Sequence, residues 1–385
     1  LLHRIGAAHL ATLQYRLDIP VLRADAPVAH LRRASLPAPL HLALALARYP
    51  LLSRRERWAA ARVAWRLRRL GSADPSRDEQ SFGDWLRAQG QSPRATSVLW
   101  DLFVLAALNT ASDQASFSLA QMVVRTGLLD RADAADIGLA TVPLSYLHGG
   151  PAAEALRCAG ADVRLRSAVQ AIEAKAGGGH VVFTRTQRLE ASAVIVAVPS
   201  WQVASLLPAG ALLDPSAPSR LGSSAIVTVH LILDRPVLDL PLVAVAGSPV
   251  VQWVFDRTRA SGLGGGQYLA VVISGADALV AERSESLADR VLASLDDLLP
   301  AVRGAHLERV FVTRVRRATF KQAPGCGALR PGPRTRLPGL FLAGAWTDTG
   351  WPATMEGAVR SGEAAARCAL SAVRLETEPL GSRDE

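Results

Sequence analysis

The chain of 385 residues has little cysteine, little lysine and few aromatics. Three scattered cysteines, Cys158, Cys326 and Cys368, exclude a disulfide framework and any Cys-x-x-Cys metal site, so no metal is expected. A reducing, cytoplasmic setting fits that usage. Lys175 and Lys321 are the two lysines, and arginine carries the rest of the positive charge. Acid is scarce in the first 70 residues, where thirteen arginines face Asp18, Asp25 and Glu56. The remainder holds 30 basic and 31 acidic side chains, so the net charge of +9 is local. No aromatic-basic strand platform or recognition helix accompanies it, which argues against nucleic acid as a partner. A signal-peptide pattern is missing. The longest uncharged run, Ala191 to Leu213, is divided by Pro199 and Pro208 and reads as a buried strand and a helix, not a membrane span.

What is present is a folded chain. Hydrophobic residues make up 49% and charged residues 20%, and the length suits about two domains at roughly 150 residues each. Residues 38–70 read as two helices, the second opened by a capping box of Ser53 and Glu56. Trp58, Ala61 and Trp65 recur along it at helical spacing among seven arginines. Such a helix suits an anionic membrane surface; the plainer reading is a helix packed on its own domain with a solvated arginine face. Residues 81–128 read mostly as helix, with Ser97–Asn109 as core and Asp101 and Asn109 as polar groups in or beside it. Asn109 reads as a cap, although either could face a pocket.

From Ala161 the period changes to two. Strands are expected over 162–166, 168–174, 180–184 and 193–198, then over 225–233, 250–255, 267–274 and 308–316. A helix is expected over 200–207 and an amphipathic one over 286–299. Gly264, Gly265 and Gly266 join strands and not a strand to a helix, which rejects a phosphate cradle there. His148 and His230 read as structural.

The segment Gly339 to Ala366 carries the chemistry. Leu340–Ala343 is a short apolar strand, Gly344 lets the chain turn, and a polar loop with Thr347, Asp348, Thr349, Gly350 and Trp351 follows. A helix is expected from about Pro352–Thr354, with Pro352 in its first turn and Glu356 at its positive end. Gly357, Ala358, Ser361, Gly362 and Ala365 give it a small-residue face. A strand, a turn and a helix N-terminus suit an electron-rich ligand group.

This segment resembles the C-terminal flavin-binding motif of the FAD-dependent amine oxidase and phytoene desaturase superfamily. The longer string W-T-D-T-G-W-P-A-T-M-E-G-A-V-R-S-G is similar to the squalene-associated branch, the hydroxysqualene dehydroxylase family of hopanoid synthesis. S-F-G-D-W-L at 81–86, L-F-V-L-A-A-L-N-T at 102–110, S-P-V-V-Q-W-V-F-D-R at 248–257 and A-L-R-P-G-P-R-T at 328–335 agree. The resemblance implies an α/β fold. A Rossmann-like FAD domain (151–200 and 331–373) would interleave with an α+β substrate domain (1–150, mainly helical, and 201–330), ahead of a disordered tail at 374–385. It implies FAD as cofactor, with Val169 near the adenine and Pro199 at a domain crossing. Gly344 through Asp348, with Gly350 and Trp351, would lie near the pyrophosphate and ribityl chain. The amides of Thr354, Met355 and Glu356, before Gly357, would face the flavin pyrimidine edge.

By the same resemblance the substrate is a C30 isoprenoid, and the reaction reduces hydroxysqualene to squalene with an electron donor not specified. A membrane-bound substrate would give the stretch 38–70 a peripheral role on the inner face of the cell membrane. The alternatives are a carotenoid-type desaturase or isomerase, and a non-enzymatic remnant unable to hold FAD. Two departures stand out. No Gly-x-Gly-x-x-Gly turn occurs near Leu1, so the chain reads as most of a flavoprotein without its first βαβ unit. Ala345 also stands where many relatives carry an acid. No catalytic acid is assigned. Asp348 and Glu356 are candidates by position, and Lys321 is a third, with a surface lysine the preferred reading.

Overall fold

The structure, a computed structural model, describes residues 1–71 and 77–377. It divides into two units woven along the chain. The first takes Leu1–Val163 and Ser223–Thr319; the second takes Arg164–Gly222 and the chain from Phe320 onward. The crossings therefore differ from the expected 150, 200 and 330. The helix Ser200–Leu206 follows directly from a strand of the second unit and packs on its strand Val169–Ala174. It thus belongs with the nucleotide-type segment.

The first unit is built on a seven-stranded sheet. Its order is Leu307–Thr319, Ser224–Leu233, Gln267–Ser274, Trp253–Asp256, Leu242–Val245, Asp18–Leu22 and Ala29–Arg32. All neighbours are antiparallel except Leu242–Val245 with Asp18–Leu22. Alternation in S-A-I-V-T-V-H-L-I-L sends Val227, Val229, Leu231 and Leu233 to one face. That face is buried under Leu287, Val291 and Leu295 of the helix Ser284–Leu298. The other face carries a cross-strand row, Phe255, Ala270, His230 and Phe311. Asp18–Leu22 and the edge strand Ala29–Arg32 were not expected within 1–150, whose other elements are mostly helical. They are short, and Pro20 interrupts their pattern.

Asn109 closes the helix Asp101–Leu108 in the left-handed conformation, φ 52°. Its side chain donates to the Ser224 carbonyl (3.1 Å) and the Thr319 hydroxyl (3.2 Å), and accepts from the Gly275 N–H (2.6 Å). The Ser53–Glu56 capping box forms on the helix Arg54–Arg69. That helix buries Ala60, Val63 and Leu67, and leaves Trp58 79% and Trp65 52% exposed. The tryptophan face is the outer one. Among the described residues no helix is long and apolar enough to cross a membrane.

The second unit pairs Val194–Val196 with Leu340–Leu342 in parallel, beside an antiparallel sheet of Val169–Ala174, His180–Thr184 and Arg188–Ala191. No strand forms at 162–166, where the run is exposed and Arg166 adopts φ 57°. The helix Met355–Thr377 packs along Leu340–Leu342, and Phe341, Ala343 and Ala365 are buried between them. It covers 374–377 of the expected disordered tail; residues 378–385 lie outside the described residues.

Candidate flavin site

The site of the second unit is built where two parallel strands end side by side. The Ala343 N–H donates to the Val196 carbonyl (3.0 Å), so the turns after both strands start together. In open parallel sheets, ligands bind beyond the carboxyl ends of such strands. Val198 and Pro199 lead into the helix Ser200–Leu206, which Pro199 opens. Gly344 leads into the loop that ends at the helix Met355–Thr377. Trp346 ties the two turns, its indole N–H donating to the Val198 carbonyl at 2.9 Å.

Gly344 has φ 140°, and a Cβ there would stand 2.4 Å from the Trp346 indole nitrogen. Its N–H donates to the Ser361 hydroxyl (2.8 Å), which donates onward to the Ala358 carbonyl (2.6 Å). The small residues of that helix face thus hold the turn close. Gly357 is required similarly, because a Cβ would meet the Pro352 carbonyl oxygen at 2.5 Å.

The expected site residues divide into those held for a ligand and those spent inside the protein. Thr347 is buried, and its hydroxyl donates to the Gly344 carbonyl (2.9 Å), so it shapes the turn. Asp348 is exposed and accepts from the Gly350 N–H (3.1 Å), where Gly350 adopts φ 69°. Trp351 is half-buried under the Arg360 guanidinium, 4.2 Å from its ring. Pro352 precedes the helix and is not in its first turn, which begins at Met355. The Thr354 amide is also committed, donating to the Pro352 carbonyl (2.7 Å), while its hydroxyl accepts from Gly357 N–H (3.1 Å). This corrects the expectation of three free amides. Of the three, the Met355 and Glu356 N–H groups have no acceptor among the described residues. They sit at the positive end of a 23-residue helix.

Glu356 is exposed and paired with Arg360 (2.8 Å). Lys321 is exposed, and its main-chain N–H donates to the Leu221 carbonyl (3.2 Å). Neither it nor Asp348 is buried. Val169 lies on the separate three-stranded sheet, paired with Thr184 just before a bulge. Gly344 is held to the helix through Ser361, and Trp346 ties its turn to Val198 just before Pro199.

Sequence reasoning missed the residue that holds the loop. Arg330 is 7% exposed and its guanidinium donates to the carbonyls of Thr347 (2.6 Å) and Trp351 (2.7 Å). It also lies over the Phe320 ring at 5.2 Å. Gln322, fully buried, accepts from the Ala353 N–H (2.9 Å). The signal was present: a single arginine between Leu329 and Pro331 in an otherwise apolar, proline-rich stretch.

These features fit a flavin. Two unpaired amides at a helix N-terminus suit the pyrimidine edge, which gathers negative charge on reduction. The glycine turn gives close backbone approach. The fold and the site together define a flavin-dependent oxidoreductase. Residues 8–370 match the family model for flavin containing amine oxidoreductases, and the chain belongs to that family. It is 34% identical to the hydroxysqualene dehydroxylase of Rhodopseudomonas palustris over 344 residues, 82% of this chain and 77% of that protein. It is 35% identical to the hydroxysqualene dehydroxylase of Sinorhizobium fredii over 271 residues, 70% of this chain and 61% of that protein. Cyclohexylamine oxidase from Brevibacterium oxydans superposes with a TM-score of 0.68 at 16% identity, covering 97% of this chain and 84% of that one. The cofactor is FAD.

Proposed function

We propose that the protein reduces hydroxysqualene to squalene. The observation that carries this reading from the family to one reaction is the similarity to two hydroxysqualene dehydroxylases over most of the chain. The first unit supplies support of a physical kind. The open face of its sheet presents Trp253 and Phe255, stacked at 6.0 Å, and His230 stacked on Phe311 at 4.4 Å. The row Phe255, Ala270, His230 and Phe311 crosses four strands, roughly 14 Å at the usual strand spacing. His230 is not a free base in this row. Its ring nitrogens lie 2.8 Å from the Tyr268 hydroxyl and 2.9 Å from the Thr313 hydroxyl, and burial lowers its pKa. A floor of stacked aromatic rings suits a long unsaturated hydrocarbon.

When bound and reduced, FAD supplies a hydride to the allylic carbon that loses hydroxide. The chain's own residues bind and exclude water. Met355 and Glu356 amides favour the anionic reduced ring, and Arg330 fixes the loop that leads to them.

The substrate is lipid-soluble, and the proposal includes peripheral contact with an anionic membrane through residues 38–70. Leu40, Leu44, Trp58 and Trp65 are all exposed there. Among the described residues, no carboxylate pairs with Arg54, Arg55, Arg62, Arg68 or Arg69. The Arg69 guanidinium lies 3.8 Å from the Trp65 ring. The test is an anaerobic assay with hydroxysqualene in vesicles and chemically reduced enzyme. Squalene is the expected product. Its absence, or turnover of phytoene-type substrates instead, overturns the reading in favour of a desaturase or isomerase.

A further inference from the structure

The helical run from Pro93 to Leu108 breaks its ladder once. Between Thr96 and Trp100 it widens, and the Asp101 N–H reaches back to the Thr96 carbonyl. Such one-turn widenings often accompany functional sites. Asp101 lines a cavity of about 480 Å³ in the first unit, with Leu102, Leu105 and Ala106 of its own helix and Trp253 of the sheet. It is the one titratable residue among those lining it. The polar neighbour Gln252 is spent on Ser274, donating to its carbonyl and accepting from its N–H.

The two oxygens of Asp101 are not equivalent. Oδ1 accepts from the Ser112 N–H (2.9 Å) and the Ser112 hydroxyl (2.6 Å). Oδ2 has no partner among the described residues, yet it is not sealed in the packing. Burial raises the pKa of the carboxyl, against the pull of the Ser112 bonds, and the charge of Asp113 raises it further. A carboxyl with one oxygen held and the other open to a cavity can orient a hydroxyl there. Trp253 stacks on Phe255, so the cavity adjoins the apolar row of the sheet.

We propose that this cavity receives the hydroxyl-bearing end of an isoprenoid alcohol, with the open Oδ2 of Asp101 as its hydrogen-bond partner. The proposal rests on the dehydroxylation reading, which supplies the substrate class.

The test uses the full chain with nerolidol, a tertiary allylic alcohol, and farnesene, the matching hydrocarbon, titrated by tryptophan fluorescence. Wild type is expected to bind the alcohol about tenfold tighter, the worth of one hydrogen bond. Asp101→Ala should erase that preference. Ser112→Ala, which loosens the anchor and leaves Oδ2 in place, should keep it. Asp101→Asn still accepts from Ser112 and still bonds the alcohol, so the preference holds within a few-fold. Equal affinities in wild type, or an unchanged preference in Asp101→Ala, overturns the proposal. Preference for the alcohol without any turnover by wild type rejects the proposed reaction and leaves the binding site standing.

Discussion

Replacing Arg330 by Met tests how the flavin loop is held. Met keeps most of the buried volume and removes the charge and the donors. The guanidinium makes two short bonds, at 2.6 and 2.7 Å, to the carbonyls of Thr347 and Trp351. Its contact with the Trp346 carbonyl, at 3.4 Å, is too long to add much. A hydrogen bond to a charged donor is worth about 1.5–3 kcal/mol, so the pair contributes about 3–6 kcal/mol. The cost is felt locally, because Thr347 is 1% exposed and water does not readily replace the lost donor. Arg330→Met should therefore elute from gel filtration without flavin and unfold at lower urea than wild type. Arg330→Lys should fall between them, since an ammonium can still donate to the two carbonyls but loses the planar group that lies over the Phe320 ring. A Met variant that keeps flavin near 1:1 and unfolds within about 0.5 kcal/mol of wild type would refute the reasoning.

Gly357→Ala should weaken FAD binding at least about tenfold in a fluorescence titration, because the added methyl displaces the Pro352 carbonyl and tilts the two free amides. Asn109→Gly should lose about 2–4 kcal/mol in chemical denaturation, from three side-chain bonds of roughly 1 kcal/mol each. Asn109→Ala should lose about 1 kcal/mol more, from the left-handed backbone. Arg33 donates to Asp136 and holds its carboxyl below the usual value of 3.8. The folded pKa is thus below the unfolded one, so this stability is present above about pH 4 and is lost as pH falls through the folded value. Asp136→Asn should flatten the acid limb of a Tm-versus-pH curve.

Legibility followed local pattern. The strand Ser224–Leu233 alternates cleanly and lies almost where its sequence places it. The capping box at Ser53 and the glycine turn at Gly344 are chemical signatures a few residues long, and both formed. Leu242–Val245 was missed because all four residues are buried, which leaves no alternation to see. Arg188–Ala191 was missed because two of its four residues, Arg188 and Glu190, are charged and its length is short. The flavin loop was recognised, but which of its groups face outward depends on backbone bonds, as the commitment of the Thr354 amide shows. Arg330 acts across 17 and 21 residues of sequence on carbonyls with no side-chain signature. Such long-range satisfaction of main-chain groups leaves no periodic trace.

The parallel pairing of Val194–Val196 with Leu340–Leu342 has a consequence for how the protein is made. The first of these strands leaves the ribosome long before the second exists. At a synthesis rate of about 5–20 residues per second the wait is on the order of ten seconds. Through that interval Val194–Val196 lacks both its strand partner and the helix Met355–Thr377 that packs against it. The pocket for FAD cannot form in that time either, because Gly344 and the amides of Met355 and Glu356 are not yet translated. The nascent chain must hold an unpaired apolar strand until then, which makes chaperone supply and translation speed determinants of its yield.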